Sequence, residues 1–368
     1  MRNLISNSLV VGGLIFGLTA CGSFPTQKDP PLGELMNRQD VDVKSFQLNP
    51  DDPLAIMGVG LMWNKSSGKM PDGGRVIVAV LGTGIDYTNE DLRESLWINT
   101  GEIGDRSTNN NDDDGNGYAD DTFGYDFYSG DGRPYDWFGH DTFTASVITA
   151  TGRKNPKVVG VAPNASLMAL RYMGPDGYGN GIDAALAIDY AVANGAKVVY
   201  LNWPNGGFRA VQGFESVIQT WPLVVQSIKD AAVRNVIVVI PAGNSSNQDV
   251  PEFLAEVAGL EHVLVVAGTL SDGQISKRSN YGKRLAATAA PLEGGFGYLP
   301  GGVVSNDIKT TSVAAAYAAG AAALIATMPG YGSASKIKKA LLSEIVPNKK
   351  GESLDVLSQG VLSISKFK

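Results

Sequence analysis

The 368-residue chain has only two histidines, so a histidine base has two candidate positions. His140 lies in Phe138-Gly139-His140-Asp141-Thr142-Phe143, at the start of a stretch with helical character. His262 heads the apolar run His262-Val263-Leu264-Val265-Val266 and reads as a surface or strand-edge residue. Ser312 precedes a run of small residues, Val313-Ala314-Ala315-Ala316, the pattern of a helix that packs closely on its neighbours. A serine there either caps the helix or acts as a nucleophile, because a helix N-terminus stabilises negative charge. Asn244 closes Ile240-Pro241-Ala242-Gly243-Asn244, where its amide serves either turn geometry or a developing oxyanion. Base, nucleophile and oxyanion donor are the parts of an acyl-transfer site.

A second cluster is chemical in another way. Asp112, Asp114, Asn116, Tyr118 and Asp120 alternate through Asp112-Asp113-Asp114-Gly115-Asn116-Gly117-Tyr118-Ala119-Asp120. Oxygen ligands at every second position, with glycines for the turn, suit a calcium ion. The acidic residue that closes an EF-hand is absent, since Phe123 stands there. The loop reads equally as a calcium site or as a solvated acidic turn.

Positioning such residues requires a rigid frame. Apolar runs at Val76–Leu81, Ser166–Leu170, Lys197–Asn202, Val236–Ile240 and His262–Ala267 suit strands buried on both faces of a parallel sheet. Helical patterns fall between and after them, at Asp141–Ala150, Ile182–Asn194, Leu223–Arg234, Val313–Thr327 and Ser335–Glu344. The alternation predicts an α/β fold: a doubly wound, mostly parallel sheet with helices on both faces. In such sheets, sites gather beyond the carboxyl ends of the strands. His140, Asn244 and Ser312 all fall at strand ends or helix starts.

Hydrophobic residues make up 43% and charged residues 18%, which excludes a disordered chain. A net charge of −7 without a basic cluster argues against nucleic-acid binding. The N-terminus has Arg2, an apolar run from Leu9 to Leu18 and then Leu18-Thr19-Ala20-Cys21. That is the layout of a secretory signal, too short for a membrane span. Cys21 is the single cysteine, so no disulfide forms within one chain.

The residues before Cys21 resemble a bacterial lipobox, which implies lipidation of Cys21 and attachment to a membrane. With Gly22 next, the resemblance implies the outer membrane of a Gram-negative cell. The expected division is a signal peptide at 1–20, a flexible tether at 21–45, a folded domain at 46–346 and a C-terminal tail at 347–368.

The order Gly82, His140, Asn244, Ser312 resembles that of the Asp, His, Asn and Ser of subtilisin-like serine peptidases. The resemblance spans roughly residues 46–345 and includes Gly160-Val161-Ala162-Pro163-Asn164-Ala165, Ser279-Asn280-Tyr281-Gly282 and Ala290-Pro291. It implies a subtilisin-like fold with His140 as base, Ser312 as nucleophile and Asn244 as oxyanion donor. The departures are as informative. The family's D-T-G reads Gly82-Thr83-Gly84, G-H-G-T-H reads Gly139-His140-Asp141-Thr142-Phe143, and G-T-S-M-A-x-P reads Thr310-Thr311-Ser312-Val313-Ala314-Ala315-Ala316. The substrate-strand S-x-G reads Asn202-Trp203-Pro204, and Pro204 cannot donate an N–H to a bound peptide.

Gly82 therefore stands at the position of the triad carboxylate, whose loss costs roughly 10⁴ in kcat in such enzymes. Asp86 is expected to point elsewhere. Asp141, adjacent to the base on a helix start, is expected not to reach its predecessor's ring. On this reading the chain is a membrane-tethered peptidase homologue, inactive or very weak, that binds a peptide or protein. The alternatives are an active serine endopeptidase using Ser312 and His140, and a structural envelope lipoprotein.

Overall fold

The computed structural model describes residues 29–32, 38–203, 220–248 and 252–367. Cys21, expected to be lipidated, and Pro204, expected to alter the substrate strand, lie outside these. Eleven strands occur among the described residues: β1 (Ile77–Gly82), β2 (Gly124–Asp126), β3 (Ser166–Arg171), β4 (Val198–Leu201), β5 (Ile237–Pro241), β6 (Val263–Thr269), β7 (Thr288–Pro291), β8 (Gly297–Leu299), β9 (Val303–Ser305), β10 (Ile345–Val346) and β11 (Val361–Leu362). Nine form one sheet in the order β10-β11-β7-β6-β5-β4-β1-β3-β2, parallel except for the β10–β11 pair. β8 and β9 make a separate antiparallel hairpin.

The apolar runs become strands because both sheet faces are covered. Val78, Val80, Val198, Tyr200, Ile237 and Val239 face the helices His140–Thr149 (the histidine helix) and Thr311–Ala326 (the serine helix). Ala79, Leu81, Val199, Leu201 and Val238 face the helices Gly181–Ala193 and Trp221–Ala231. Period-2 alternation thus sorts each strand's side chains between two cores. The doubly wound parallel sheet with helices on both faces is what the sequence pattern predicts.

The order in which strands are added reverses at β1, which has β3 on one side and β4 on the other, both parallel to it. The carboxyl ends of β1 and β4, Gly82 and Asn202, therefore open the crevice where such sheets place their sites. The serine helix is buried from Thr311 to Ile325, so its small residues set how closely it lies on the sheet.

Several sequence expectations change. Residues 38–45, read as part of a flexible tether, are bound to the domain: Arg38 donates to the carbonyls of Glu94, Ser95 and Ala165, and the Val41 N–H to Asn164 Oδ1. Residues 29–32 are held as well, since Trp137 Nε1 donates to Asp29 and the Tyr87 hydroxyl to the Pro30 carbonyl. The C-terminal tail supplies β11, which lies between β10 and β7 and buries Val361 and Leu362. Two-residue strands carry too little periodicity to be read from sequence. His262 is buried, and its Nε2 donates to the Ile228 carbonyl at 2.6 Å, so it is not a surface residue. No helix among the described residues is long and apolar enough to cross a membrane.

A side chain on Gly320 of the serine helix would begin 2.5 Å from Val161 Cβ. Gly320→Leu is expected to lower stability by about 1–3 kcal/mol or more through overpacking. Urea denaturation should show this as a lower midpoint at unchanged slope; an unchanged midpoint would refute the close packing.

Candidate functional site

Each candidate residue is placed by a specific local device. The histidine helix begins after Gly139, whose φ of +94° lies in the left-handed region that glycine adopts without strain. Asp136, fully buried, caps that start: it accepts the N–H groups of Phe138 (2.9 Å), Gly139 (2.7 Å) and Thr142 (2.9 Å), and the Thr142 hydroxyl (2.8 Å). Burial and the neighbouring Asp141 charge push its pKa up to about 6. His140 is thereby fixed as the first helical residue, beside the end of β1.

The carboxylate of Asp141 reaches back to that histidine. His140 Nδ1 lies 2.7 Å from Asp141 Oδ1, and the Thr83 N–H donates to Oδ2 at 2.6 Å. Asn202 Nδ2 donates to Oδ1 at 2.5 Å from the end of β4. The Thr83 hydroxyl accepts the Asp141 N–H at 3.1 Å, completing a reciprocal pair. Asn202 Nδ2 also lies 2.8 Å from His140 Nδ1; in the tautomer that shares its Nδ1 proton with Asp141, Nε2 is the basic nitrogen. Burial lowers the His140 pKa, but the hydrogen bond and charge of Asp141, with the charge of Asp136, outweigh it and leave the imidazole above its ordinary value.

The expectation that Asp141 does not reach its predecessor's ring is therefore corrected. The physical reason is Gly82. A Cβ at that position would sit 1.9 Å from Asp141 Oδ2, so the absence of a side chain opens the space the carboxylate fills. Asp86 points elsewhere, accepting from Thr88 and from the Gly301 N–H. The signal was present in the sequence as a reciprocal exchange: the family's Asp reads Gly82, and the family's Gly reads Asp141. Each change taken singly looks like decay.

Ser312 is the second residue of the serine helix, buried at its entry, with Thr310 as N-cap. It is therefore not the capping residue. Its carbonyl accepts the Tyr200 hydroxyl at 3.1 Å, which ties the helix to β4 two residues before Asn202. Asn244 Oδ1 accepts the Thr311 N–H at 2.8 Å, which directs the amide at the start of the same helix and leaves Nδ2 as a donor. Asn280 shapes that loop, accepting the N–H groups of Ser245 and Asn247 and donating to the Ala242 carbonyl. The residues the sequence did not single out for this site are Asp136, Asn202 and Thr83, none of which stands out by type or spacing.

The acidic loop is organised differently from the alternating ligand set. Asp120 accepts the N–H groups of Asn109 and Asn110, Asn116 Oδ1 accepts the Tyr118 N–H, and the Tyr118 ring packs edge-on against Tyr125, Phe127 and Tyr190. Asn116 Nδ2 also donates to Asp114 Oδ2 at 3.3 Å. Carboxylate oxygens of Glu102, Asp112 and Asp114 converge, within 4.8 Å of one another. Glu102 is fully buried, and its Oε2 has no hydrogen-bond partner. An orphaned buried carboxylate oxygen facing two further carboxylates fits a hard cation.

Comparison with known proteins places this geometry. The profile of a family described as the subtilase family matches residues 73–360. Thermitase of Thermoactinomyces vulgaris is 30% identical over 218 residues, 59% of this chain and 71% of that protein. Subtilisin-like protease 1 of Plasmodium falciparum (isolate 3D7) is 32% identical over 131 residues, 36% of this chain; the match spans only 18% of that protein's length. Among solved structures, one described as a cold adapted subtilisin-like serine proteinase aligns with a TM-score of 0.58 at 20% identity, covering 80% of this chain and 90% of that one, which speaks for the fold.

Proposed function

The chain belongs to the subtilase family, and from that premise we propose that it is a serine endopeptidase acting on peptide bonds through Ser312, His140 and Asn244. The observation that carries this reading is the hydrogen bond between His140 Nδ1 and the buried Asp141 carboxylate, at 2.7 Å. A base whose Nδ1 proton is held by this carboxylate has its Nε2 free to take a proton. The Ser312 hydroxyl then attacks the scissile carbonyl, its proton passing to His140 Nε2. The oxyanion accepts from Asn244 Nδ2 and from the Ser312 N–H, which, as a second helical residue, has no partner one turn back. His140 returns the proton to the leaving amine, and water releases the acyl group by the same steps. The sequence alone favoured a homologue that binds without cutting, on Gly82 together with Asp141, Ala316 and the altered substrate strand at Pro204. The contact of Asp141 with His140 supports the active reading against the first two of these.

The protein is further proposed to be held at the outer membrane of a Gram-negative cell by lipid on Cys21, a reading supported by Leu18-Thr19-Ala20-Cys21. Calcium is proposed as a stabilising ion bound by Glu102, Asp112 and Asp114. It would neutralise three converging carboxylates and contribute no step to the reaction.

A fluorophosphonate probe, whose phosphorus is attacked by an activated serine with loss of fluoride, is expected to label Ser312 in the purified protein. Labelling should disappear in Ser312→Ala and His140→Ala and slow by about 10²–10³ in Asn244→Ala; an unlabelled wild-type protein defeats the peptidase reading. Cys21→Ser should move the protein from the membrane to the soluble fraction, and a mutant that stays membrane-bound counts against lipid anchoring. Added calcium should raise the melting temperature relative to chelator, with most of the increment lost in Glu102→Ala. Equal increments in both proteins would exclude this ligand set.

A further inference from the structure

We propose that Asp141 is the positioning residue for the His140 base, supplying from the histidine helix the carboxylate that Gly82 does not carry on β1, and that Gly82 and Asp141 form one exchanged pair. The inference rests on the reading of His140 and Ser312 as base and nucleophile, and it assigns a role that neither residue's position in the family pattern provides.

Three observations carry it. The first is space: the Asp141 carboxylate occupies the side-chain volume of residue 82, with Oδ2 1.9 Å from where that Cβ would stand and Cγ 3.0 Å away. Aspartates at both positions would overlap. The second is satisfaction without a cation. Asp141 is fully buried, and among the described residues no lysine or arginine pairs with it. Its oxygens are met by His140 Nδ1, Asn202 Nδ2, the Thr144 hydroxyl at 3.4 Å and the Thr83 N–H. A buried carboxylate is costly unless hydrogen-bonded, and here the group that gains a positive charge during catalysis is one of its partners. The third is that the usual structural role of a first-turn acid is already filled. Asp136, not Asp141, accepts the free N–H groups at the start of this helix. Asp141 instead bridges β1, β4 and the imidazole.

The arrangement also fixes ring orientation. Asn202 and Thr83 hold Oδ1 and Oδ2 from two adjacent strands, so the carboxylate plane is set by the sheet rather than by the helix it belongs to. The charged and titratable groups around the imidazole are Asp141, Asp136 from the preceding turn, and the buried hydroxyls of Tyr172 and Tyr200 on the β3 and β4 side of Asp141.

The test compares wild type, Asp141→Asn, Gly82→Asp and the double exchange Gly82→Asp/Asp141→Gly. Peptide hydrolysis and probe labelling against pH are read together with a proton NMR titration of His140, the His262 signal being assigned with His262→Gln. Asp141→Asn is expected to lower kcat about 10⁴-fold with little change in KM, the size seen when serine peptidases lose this carboxylate. It should also move the His140 titration and the acid limb of kcat/KM to lower pH. Gly82→Asp alone should lower both melting temperature and rate, and the double exchange should recover rate over Asp141→Asn by at least about tenfold. An Asp141→Asn protein with an unshifted His140 titration overturns the inference, whether or not the wild type turns over substrate. A labelled wild type with an equally fast Asp141→Asn overturns it while leaving the peptidase reading intact. If Asp141→Asn does not fold, the double exchange decides: a folded double variant without recovered rate is an adverse result.

Discussion

A carboxylate buried beyond the reach of any described lysine or arginine persists only if its oxygens are hydrogen-bonded, and the organisation of this crevice follows from meeting that requirement for Asp141. Its acceptor sites are filled from the end of β1 by Thr83, from the end of β4 by Asn202, and from its own helix by Thr144 and His140. These contacts cross the point at which the strand order reverses, so the sheet topology and the local electrostatics are one problem. A glycine at residue 82 is the geometric condition for it. Without that vacancy the carboxylate would be pushed from both strands.

The same face of β4 aligns the two halves of the site. Tyr200 and Asn202, two residues apart, project toward the same side of the sheet. Tyr200 holds the first turn of the serine helix through the Ser312 carbonyl, and Asn202 holds the histidine and its carboxylate. Ser312 and His140, the proposed nucleophile and base, are thus referenced to one strand and not to each other through loops. Asn244 adds a third reference from the end of β5, with its oxygen committed to the Thr311 N–H. Hydroxyl and amide donors therefore approach the start of one helix, whose N-terminal field favours the negative charge that acyl transfer develops there.

The acidic loop shows the same logic applied to stability. Asp112 accepts the N–H groups of Gly115, Asn116 and Gly117, which shapes the turn. Glu102, outside the alternating motif, brings a buried oxygen without a hydrogen-bond partner to the same cluster of carboxylates. Asp121 ties the loop to the helix Gly181–Ala193 through the Tyr190 hydroxyl, so an ion there would be coupled to the rigid body of the domain.

Sequence alone determined the parallel sheet, because near-continuous Val, Ile and Leu runs separated by helical patterns can be buried only with helices on both faces. It also determined the identities and order of His140, Asn244 and Ser312, since each sits in a local motif of recognisable type. It could not determine β10 and β11, which are too short to show a period, nor the packing of residues 38–45, whose partners lie more than fifty residues away. Nor could it decide the meaning of Gly82. Hydrogen-bond reach is set by where β1 and the histidine helix meet, not by separation along the chain. Only the tertiary structure shows that residues 82 and 141, fifty-nine positions apart, contend for one space. A glycine that reads in sequence as a lost carboxylate becomes, in three dimensions, the room into which the carboxylate has moved.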